Sequence, residues 1–305
     1  MASFLVTGSA GFVGHCIVNT LLENGHDVVG IDNLSVGKRQ IQHPRFKFIQ
    51  GDILDLSLCH HAVKGMDYVI HQAALTSVPE SLKDPIRYHD HNVLGTLNML
   101  LASKEAHIQR FVLASSSAVY GHAQVMPVTE DSPLCPLSPY GTSKVIAEYY
   151  VALFYRCYGL PGVILRYFNI FGPGQDAHSY YASVIPKFIQ KLKKDQAIDI
   201  FGDGNQTRDF VYIQTVVHAN IQSCLTPFSH VDLAKPINIG SGIPCSLNHL
   251  KTQLAHYFPS LKANYLPERE GDICHSVADI TRMNTVFKFT PISFEEGLNH
   301  MIKLA

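Results

Sequence analysis

Short apolar runs recur along the first half of the chain, each ending in small or polar residues and followed by a stretch with apolar positions every three or four residues. Residues 4–6, 68–70 and 111–114 are apolar at consecutive positions, and 28–31, 46–49 and 163–166 are so apart from Gly30, Lys47 and Arg166, as in strands covered on both faces. Helical periodicity follows the first run as far as Leu22, and it returns over 85–106 and 140–158. Alternation of this kind predicts a parallel sheet between two helical layers, with ligands at the C-terminal strand ends. The second half is less regular. A strand is predicted over 198–201, a tight turn at Gly202, Asp203 and Gly204, and a solvated basic helix face at Lys187, Lys191, Lys193 and Lys194.

Polar motifs cluster where the strands end. The first strand runs into Gly8, Gly11 and Gly14 and then a helix, a turn in which backbone N–H groups can approach a pyrophosphate. A glycine-rich turn with no ligand is the alternative. The second strand ends at Asp32, placed to accept ribose hydroxyls and to repel a 2′-phosphate, which favours NAD over NADP despite Lys38 and Arg39 nearby. Small residues Ala73 and Ala74 after the fourth strand leave room for a cofactor across the sheet edge.

The fifth strand delivers Ser115, Ser116 and Ser117. Ser138 and Pro139 then read as N-cap and first residue of a helix, with Tyr140 in its first turn and Lys144 four residues on, on the same face. A phenol titrates near pH 10 in isolation, so a tyrosine base needs a nearby cation; a lysine ammonium and an oxidised nicotinamide both qualify. Tyr140 could then take a proton from a sugar hydroxyl whose oxygen Ser116 holds. Taken alone, Tyr140 and Lys144 are equally ordinary positions of an amphipathic helix; the coincidence of every motif with a strand end overrides that reading. Arg208 and Arg269, distant in sequence, could fork onto one diphosphate or stand as surface salt-bridge residues.

With 305 residues, 46% hydrophobic and 16% charged, the chain can bury a large core. A net charge of −1 without a basic run gives no support for nucleic-acid or membrane-surface binding. No signal-peptide pattern or long apolar span is visible, so a soluble, cytoplasmic protein is expected. The 7 cysteines lack paired spacing and fit reduced thiols, and the 17 histidines are dispersed without a metal-ligand pattern, so no metal is expected.

Thr7 to Gly14, Asp32, Asp52, His71 to Ala74, Ser115 to Gly121, Tyr140 to Lys144 and Arg166 to Gly174 together resemble the extended short-chain dehydrogenase/reductase family across nearly the whole chain. Within it, Val184 to Phe188, Gly202 to Ile213, Asn238 to Gly242 and Arg269 to Asp279 resemble the nucleotide-sugar 4-epimerases, most closely those acting on UDP-N-acetylglucosamine. The resemblance implies a Rossmann-type doubly wound α/β domain over 1–172, joined by parts of about 209–241, and a smaller, interleaved UDP-sugar-binding α/β domain over 173–305. It implies catalysis by Ser116, Tyr140 and Lys144. It implies NAD contacts from Gly8, Gly11, Phe12, Val13, Gly14, Asp32, Asn33, Asp52, Ile53, Ala73, Ala74, Asn92, Ser115, Tyr140, Lys144 and Tyr167. Substrate contacts are implied for Ser77, Val78, Ser116, Ser117, Asn169, Val184, Phe201, Arg208, Arg269, Asp272 and Ser276, with segments around Ser77 and around Tyr180, Tyr181 and Ala182 similar to the acetylated-sugar group.

Ala118 stands where the family's dehydratases and uronate decarboxylases usually carry glutamate, which implies simple redox inversion: hydride leaves C4, a 4-keto sugar turns about its diphosphate, and the hydride returns to the other face. Ser276 stands where a bulky tyrosine restricts relatives to unmodified hexoses, so a 2-acetamido group is expected to fit. A uronate epimerase or a dehydratase would share most of these residues, and a non-catalytic NAD-sensing regulator of the same fold is the reading from another class. The helices over 85–106 and 140–158 resemble a four-helix homodimer interface, with Leu97, Leu100, Leu101, Val145, Tyr149 and Leu153 as contacts; packing on the sheet is the equal alternative.

Overall fold

The computed structural model describes residues 1–175, 183–227, 233–268 and 274–304. Its strands in chain order are β1 Ser3–Thr7, β2 Asp27–Asp32, β3 Phe46–Gln50, β4 Tyr68–His71, β5 Arg110–Ser116 and β6 Gly162–Tyr167, then β7 Asn169–Phe171, β8 Ile198–Phe201, β9 Thr207–Tyr212, β10 Pro236–Ile239, β11 Pro244–Ser246 and β12 Ala263–Leu266. Seven of them form one sheet in the order β10-β6-β5-β4-β1-β2-β3, every neighbour parallel. The order reverses between β1 and β4, which opens a crevice above their C-terminal ends.

The consecutive apolar runs have a direct cause. Phe4 and Val6 face one helical layer, where they pack with Ile17, Leu21 and Val216, while Leu5 between them faces the other, with Met99, Leu100 and Val151. All of these side chains are buried, each stabilising the fold by about 2 kcal/mol relative to exposure. Leu100 therefore belongs to the core and not to an exposed seam, and Val145 packs against the cluster around Val119. Tyr149 and Leu153 do stand exposed on their helix.

The helix expected over 85–106 is divided. Pro85–His89 and Gly95–Glu105 are α-helical, but Asp90–Leu94 between them is a π-turn. The widened turn carries Asn92, whose amide accepts from Leu75 N at 2.8 Å and donates to Leu75 O at 2.9 Å, tying the helix to the loop after β4. Side-chain periodicity does not register such a one-residue insertion. A short helix, Val78–Lys83, capped by Ser77, was also absent from the expected elements.

Beyond β6 the chain builds two small sheets, β11-β9-β7 and β12-β8. Asp209 in β9, wholly buried, accepts from Ser241 N, Gly242 N and Ala278 N at 2.6, 3.0 and 3.0 Å. This clamp fixes the segment around Ser276 beside Arg208. No helix among the described residues is long and apolar enough to cross a membrane.

Candidate active site

A cavity of about 780 Å³ runs along the C-terminal strand ends, from the turn after β1 to the segment carrying His275 and Ser276. The turn leaves no space for a side chain at Gly8 or Gly14. Gly8 has φ +67°, and a β-carbon at Gly14 would lie 2.1 Å from the Gly8 carbonyl oxygen. Gly11 caps the helix Phe12–Glu23 without a side-chain hydrogen bond, so the first N–H groups face the cavity unblocked.

Asp32 closes β2 and braces this turn: Oδ2 accepts from Ala10 N at 3.0 Å and Oδ1 from Leu34 N at 2.8 Å. Asn33 donates to Asp52 Oδ2 at 2.8 Å. The loop between them folds back over the turn, since a β-carbon at Gly37 would come within 2.3 Å of Ala10 O. Arg39 packs its guanidinium 5.9 Å from the Phe12 ring centre, over the first helical turn.

On the opposite wall, Ser138 Oγ accepts from Gly141 N at 3.1 Å and starts the helix Pro139–Tyr158. A β-carbon at Gly141 would meet Ala118 O at 2.8 Å, so the helix start packs tightly on the turn after β5. This close approach brings the Tyr140 side chain to the same cavity wall as Ser116. Ser116 Oγ accepts from Ala118 N at 3.1 Å. Lys144 Nζ donates to Ala114 O at 2.9 Å and lies 5.9 Å from the Tyr140 ring centre.

Burial pushes the Tyr140 phenol above its ordinary value, with Ser116 opposing that rise and Tyr88 adding to it. Burial pushes the Lys144 ammonium down to about 8, with the Glu148 carboxylate opposing that fall. His71, at the end of β4, is pushed down to about 3 by burial, with Lys144 adding to the shift. It sits between Thr7 Oγ1, 2.8 Å from Nδ1, and Thr96 Oγ1, 3.1 Å from Nε2.

Of the residues expected to bind, Gly8, Gly11, Phe12, Val13, Gly14, Asp32, Asn33, Asp52, Ile53, Ala73, Ala74, Ser115, Tyr140, Lys144 and Tyr167 all line this one cavity. So do Ser77, Val78, Ser116, Ser117, Asn169, Val184, Arg208 and Ser276. Asn92 does not: its amide is spent on Leu75 and on Ser143 Oγ behind the wall. Phe201 is not on the wall either; it ends β8, paired with β12. Arg269, Asp272, Tyr180, Tyr181 and Ala182 lie outside the described residues. Sequence reading did not single out Val36 and Gly37, which roof the glycine turn, or His91, whose Nε2 lies 3.7 Å from Asp52 Oδ2; no local pattern marks any of the three.

Fold and cavity together define a dinucleotide-binding α/β protein with Ser, Tyr and Lys gathered at the strand ends. A family model described as the NAD dependent epimerase/dehydratase family matches residues 4–240, and the chain belongs to that family. It is 40% identical over 301 residues to a putative UDP-glucose 4-epimerase of Methanocaldococcus jannaschii, covering 98% of this chain and 96% of the relative. The UDP-N-acetylglucosamine 4-epimerase of Methanobrevibacter ruminantium, solved with UDP-N-acetylmuramic acid, superimposes with a TM-score of 0.93 at 39% identity, covering 99% of this chain and 97% of that one. The UDP-glucose 4-epimerase of Thermus thermophilus, solved with NAD, gives a TM-score of 0.88 at 30% identity, covering 99% and 98%. NAD is the cofactor of this chain, and the tight glycine turn, the open helix N-terminus and Asp32 fit it.

Proposed function

We propose that the enzyme interconverts the C4 epimers of a UDP-hexose, with UDP-N-acetylglucosamine and UDP-N-acetylgalactosamine as its substrates. The observation that carries this reading is the pairing of Ser116 and Tyr140 across a cavity whose far side is lined by the small Ser276. The M. ruminantium relative, named for an acetylated sugar, supports the same choice.

When bound, NAD supplies a reversible acceptor for the C4 hydrogen as hydride. Tyr140 takes the proton of the C4 hydroxyl as the carbon is oxidised and returns it on reduction, while Ser116 holds the same oxygen and Lys144 offsets the phenolate charge. Arg208, on the cavity wall, anchors the diphosphate so that the 4-keto ring can turn about it. Gly8, Gly11 and Gly14 admit the cofactor pyrophosphate, and Asp32 receives its ribose. The molecule works as a homodimer through the exposed faces of the helices Pro85–His89 and Pro139–Tyr158.

The test compares turnover of acetylated and plain UDP-hexoses by the wild type and Ser276→Tyr. The variant is expected to lose the acetylated substrates and keep the plain ones; full activity on acetylated sugar would remove the argument from Ser276. Scoring the products for epimer or for mass loss separates epimerisation from dehydration, which the small Ala118 disfavours.

A further inference from the structure

Behind the wall formed by Ser116, Tyr140 and Lys144 lies an ion pair that the mechanism above does not use. Glu148 follows Lys144 by one turn of the same helix and Arg166 stands in β6, their side chains 6% and 3% exposed. Arg166 Nε donates to Glu148 Oε1 at 2.9 Å and Nη2 to Oε2 at 2.7 Å, a two-pronged pair. Ser115 Oγ donates to Glu148 Oε1 at 2.5 Å. The remaining Arg166 nitrogen, Nη1, donates to Tyr120 OH at 2.9 Å and Glu130 O at 3.0 Å.

A buried pair of this kind contributes little net stability compared with apolar residues of the same size, so its presence is not explained by holding the fold together. Its contacts point instead to the reacting groups. Ser115 is the strand neighbour of Ser116, and Lys144 shares the helix face of Glu148. We propose that Glu148 is a positioning residue for the catalytic pair: fixed by Arg166, its carboxylate holds Ser115, and with it the Ser116 hydroxyl, at the end of β5 and supplies the negative charge that keeps Lys144 an ammonium. The inference rests on the reading that Ser116, Tyr140 and Lys144 carry out the proton transfer.

The charges around Lys144 are few. Tyr140 and Glu148 face it from its own helix, and His71 from β4 stays neutral through burial. Glu148 in turn meets Ser115 from β5 and Arg166 from β6, with Tyr120 and Glu130 beyond. Glu148 is thus the one anion that acts on Lys144 among these groups. With Lys144 already down to about 8, its loss would leave much of the lysine uncharged at neutral pH.

Glu148→Gln is expected to move the alkaline limb of the kcat profile down by about one pH unit, the effect of removing one adjacent opposite charge. Arg166→Gln, which leaves the carboxylate unbalanced, is expected to move it up. Because either change strands a buried charge, the double variant Glu148→Gln/Arg166→Gln is measured beside them; it strands none and still removes the anion nearer to Lys144, so its limb also falls. NMR titration of the lysine Cε–H signals, with Lys144 assigned by Lys144→Met, reads the same shift without turnover. Ser115→Ala, which alters neither charge, is expected to lower kcat about tenfold, the worth of one hydrogen bond to a charged group, with the limb unmoved.

An unmoved limb and an unmoved Lys144 midpoint in the double variant would reduce the pair to a structural role. Unchanged kcat in Ser115→Ala would overturn the positioning of Ser116. If the wild type fails to interconvert epimers, the parent reading falls, while the Lys144 titration still decides the role of Glu148.

Discussion

The Tyr140 phenol and the Ser116 hydroxyl converge on one wall of the cavity, bringing the first turn of one helix to the last residue of a central strand. Burial makes Tyr140 a weaker acid than free tyrosine, with Ser116 working against that rise and Tyr88 adding to it. Tyr140→Phe removes only the phenol oxygen to which the proposed mechanism assigns the proton transfer. It is expected to lower kcat by a factor of about 10²–10⁴, the usual worth of a general base, with NAD still bound. Rapid-quench turnover and cofactor absorbance check this. In the wild type, C4 deuterium is expected to remain on the sugar, since the hydrogen never meets solvent; washing out into water would contradict it.

A second relationship is steric. A β-carbon at Gly14 would fall 2.1 Å from Gly8 O and 2.8 Å from Gly8 C, both backbone atoms with no freedom to retreat. Gly14→Ala therefore has to push the helix Phe12–Glu23 away from β1 or distort the turn. Loss of bound NAD is expected, with thermal unfolding at lower temperature by several degrees, equivalent to about 2 kcal/mol of overpacking. Isothermal titration with NAD and a calorimetric melt check it. Wild-type affinity in Gly14→Ala would mean that the pyrophosphate does not lie on this turn.

The extent to which the chain could be read in advance follows from the range of the interactions involved. The parallel strands were legible because Phe4, Leu5 and Val6 are apolar on both faces, a property of consecutive residues. Ser138 and Pro139 announce a helix start within two positions. Periodicity, by contrast, carries no mark of the π-turn at Asp90–Leu94, which depends on Asn92 reaching the Leu75 backbone. Leu100 reads as an interface residue until the strand it packs on is known. The Glu148–Arg166 pair joins a helix to β6, and Arg166 there interrupts an otherwise apolar strand with no local sign of its partner.

His71 gives the protein an acid-sensitive stability. Its folded value of about 3 lies below the ordinary 6.5, because the buried imidazole between Thr7 and Thr96 resists a charge. The unfolded chain binds a proton over that window and the folded chain does not. Stability from this group is thus complete above the unfolded value and is lost as pH falls towards 3, at about 1.4 kcal/mol per pH unit. Between about pH 7 and pH 5 the loss attributable to His71 is about 2 kcal/mol. His71→Asn, which keeps two polar contacts but does not titrate there, is expected to show a flatter dependence. Urea midpoints at the two pH values compare them; equal slopes in wild type and variant would remove His71 as the source.

One group of exposed apolar side chains outside the cavity lies on two helices and the loop that precedes the second. Ile86 is 72% exposed and Tyr149 63%, and Leu153 and Leu137 stand in the same region. Tyr149 and Leu153 lie one turn apart on the helix Pro139–Tyr158, and the helix Pro85–His89 packs beside it, so the exposed faces form one surface. A second copy related by a two-fold axis would cover both helices with the same two helices. Light scattering is expected to give a dimer for the wild type and a monomer for Ile86→Glu/Tyr149→Glu, since an isologous contact meets each introduced carboxylate twice. The Tyr140 side chain is on the opposite side of the same helix, buried against Leu75 and Tyr88. The monomeric variant is therefore expected to keep the NAD affinity of the parent while losing thermal stability. A monomeric wild type, or a variant that remains dimeric, would assign this surface to another partner.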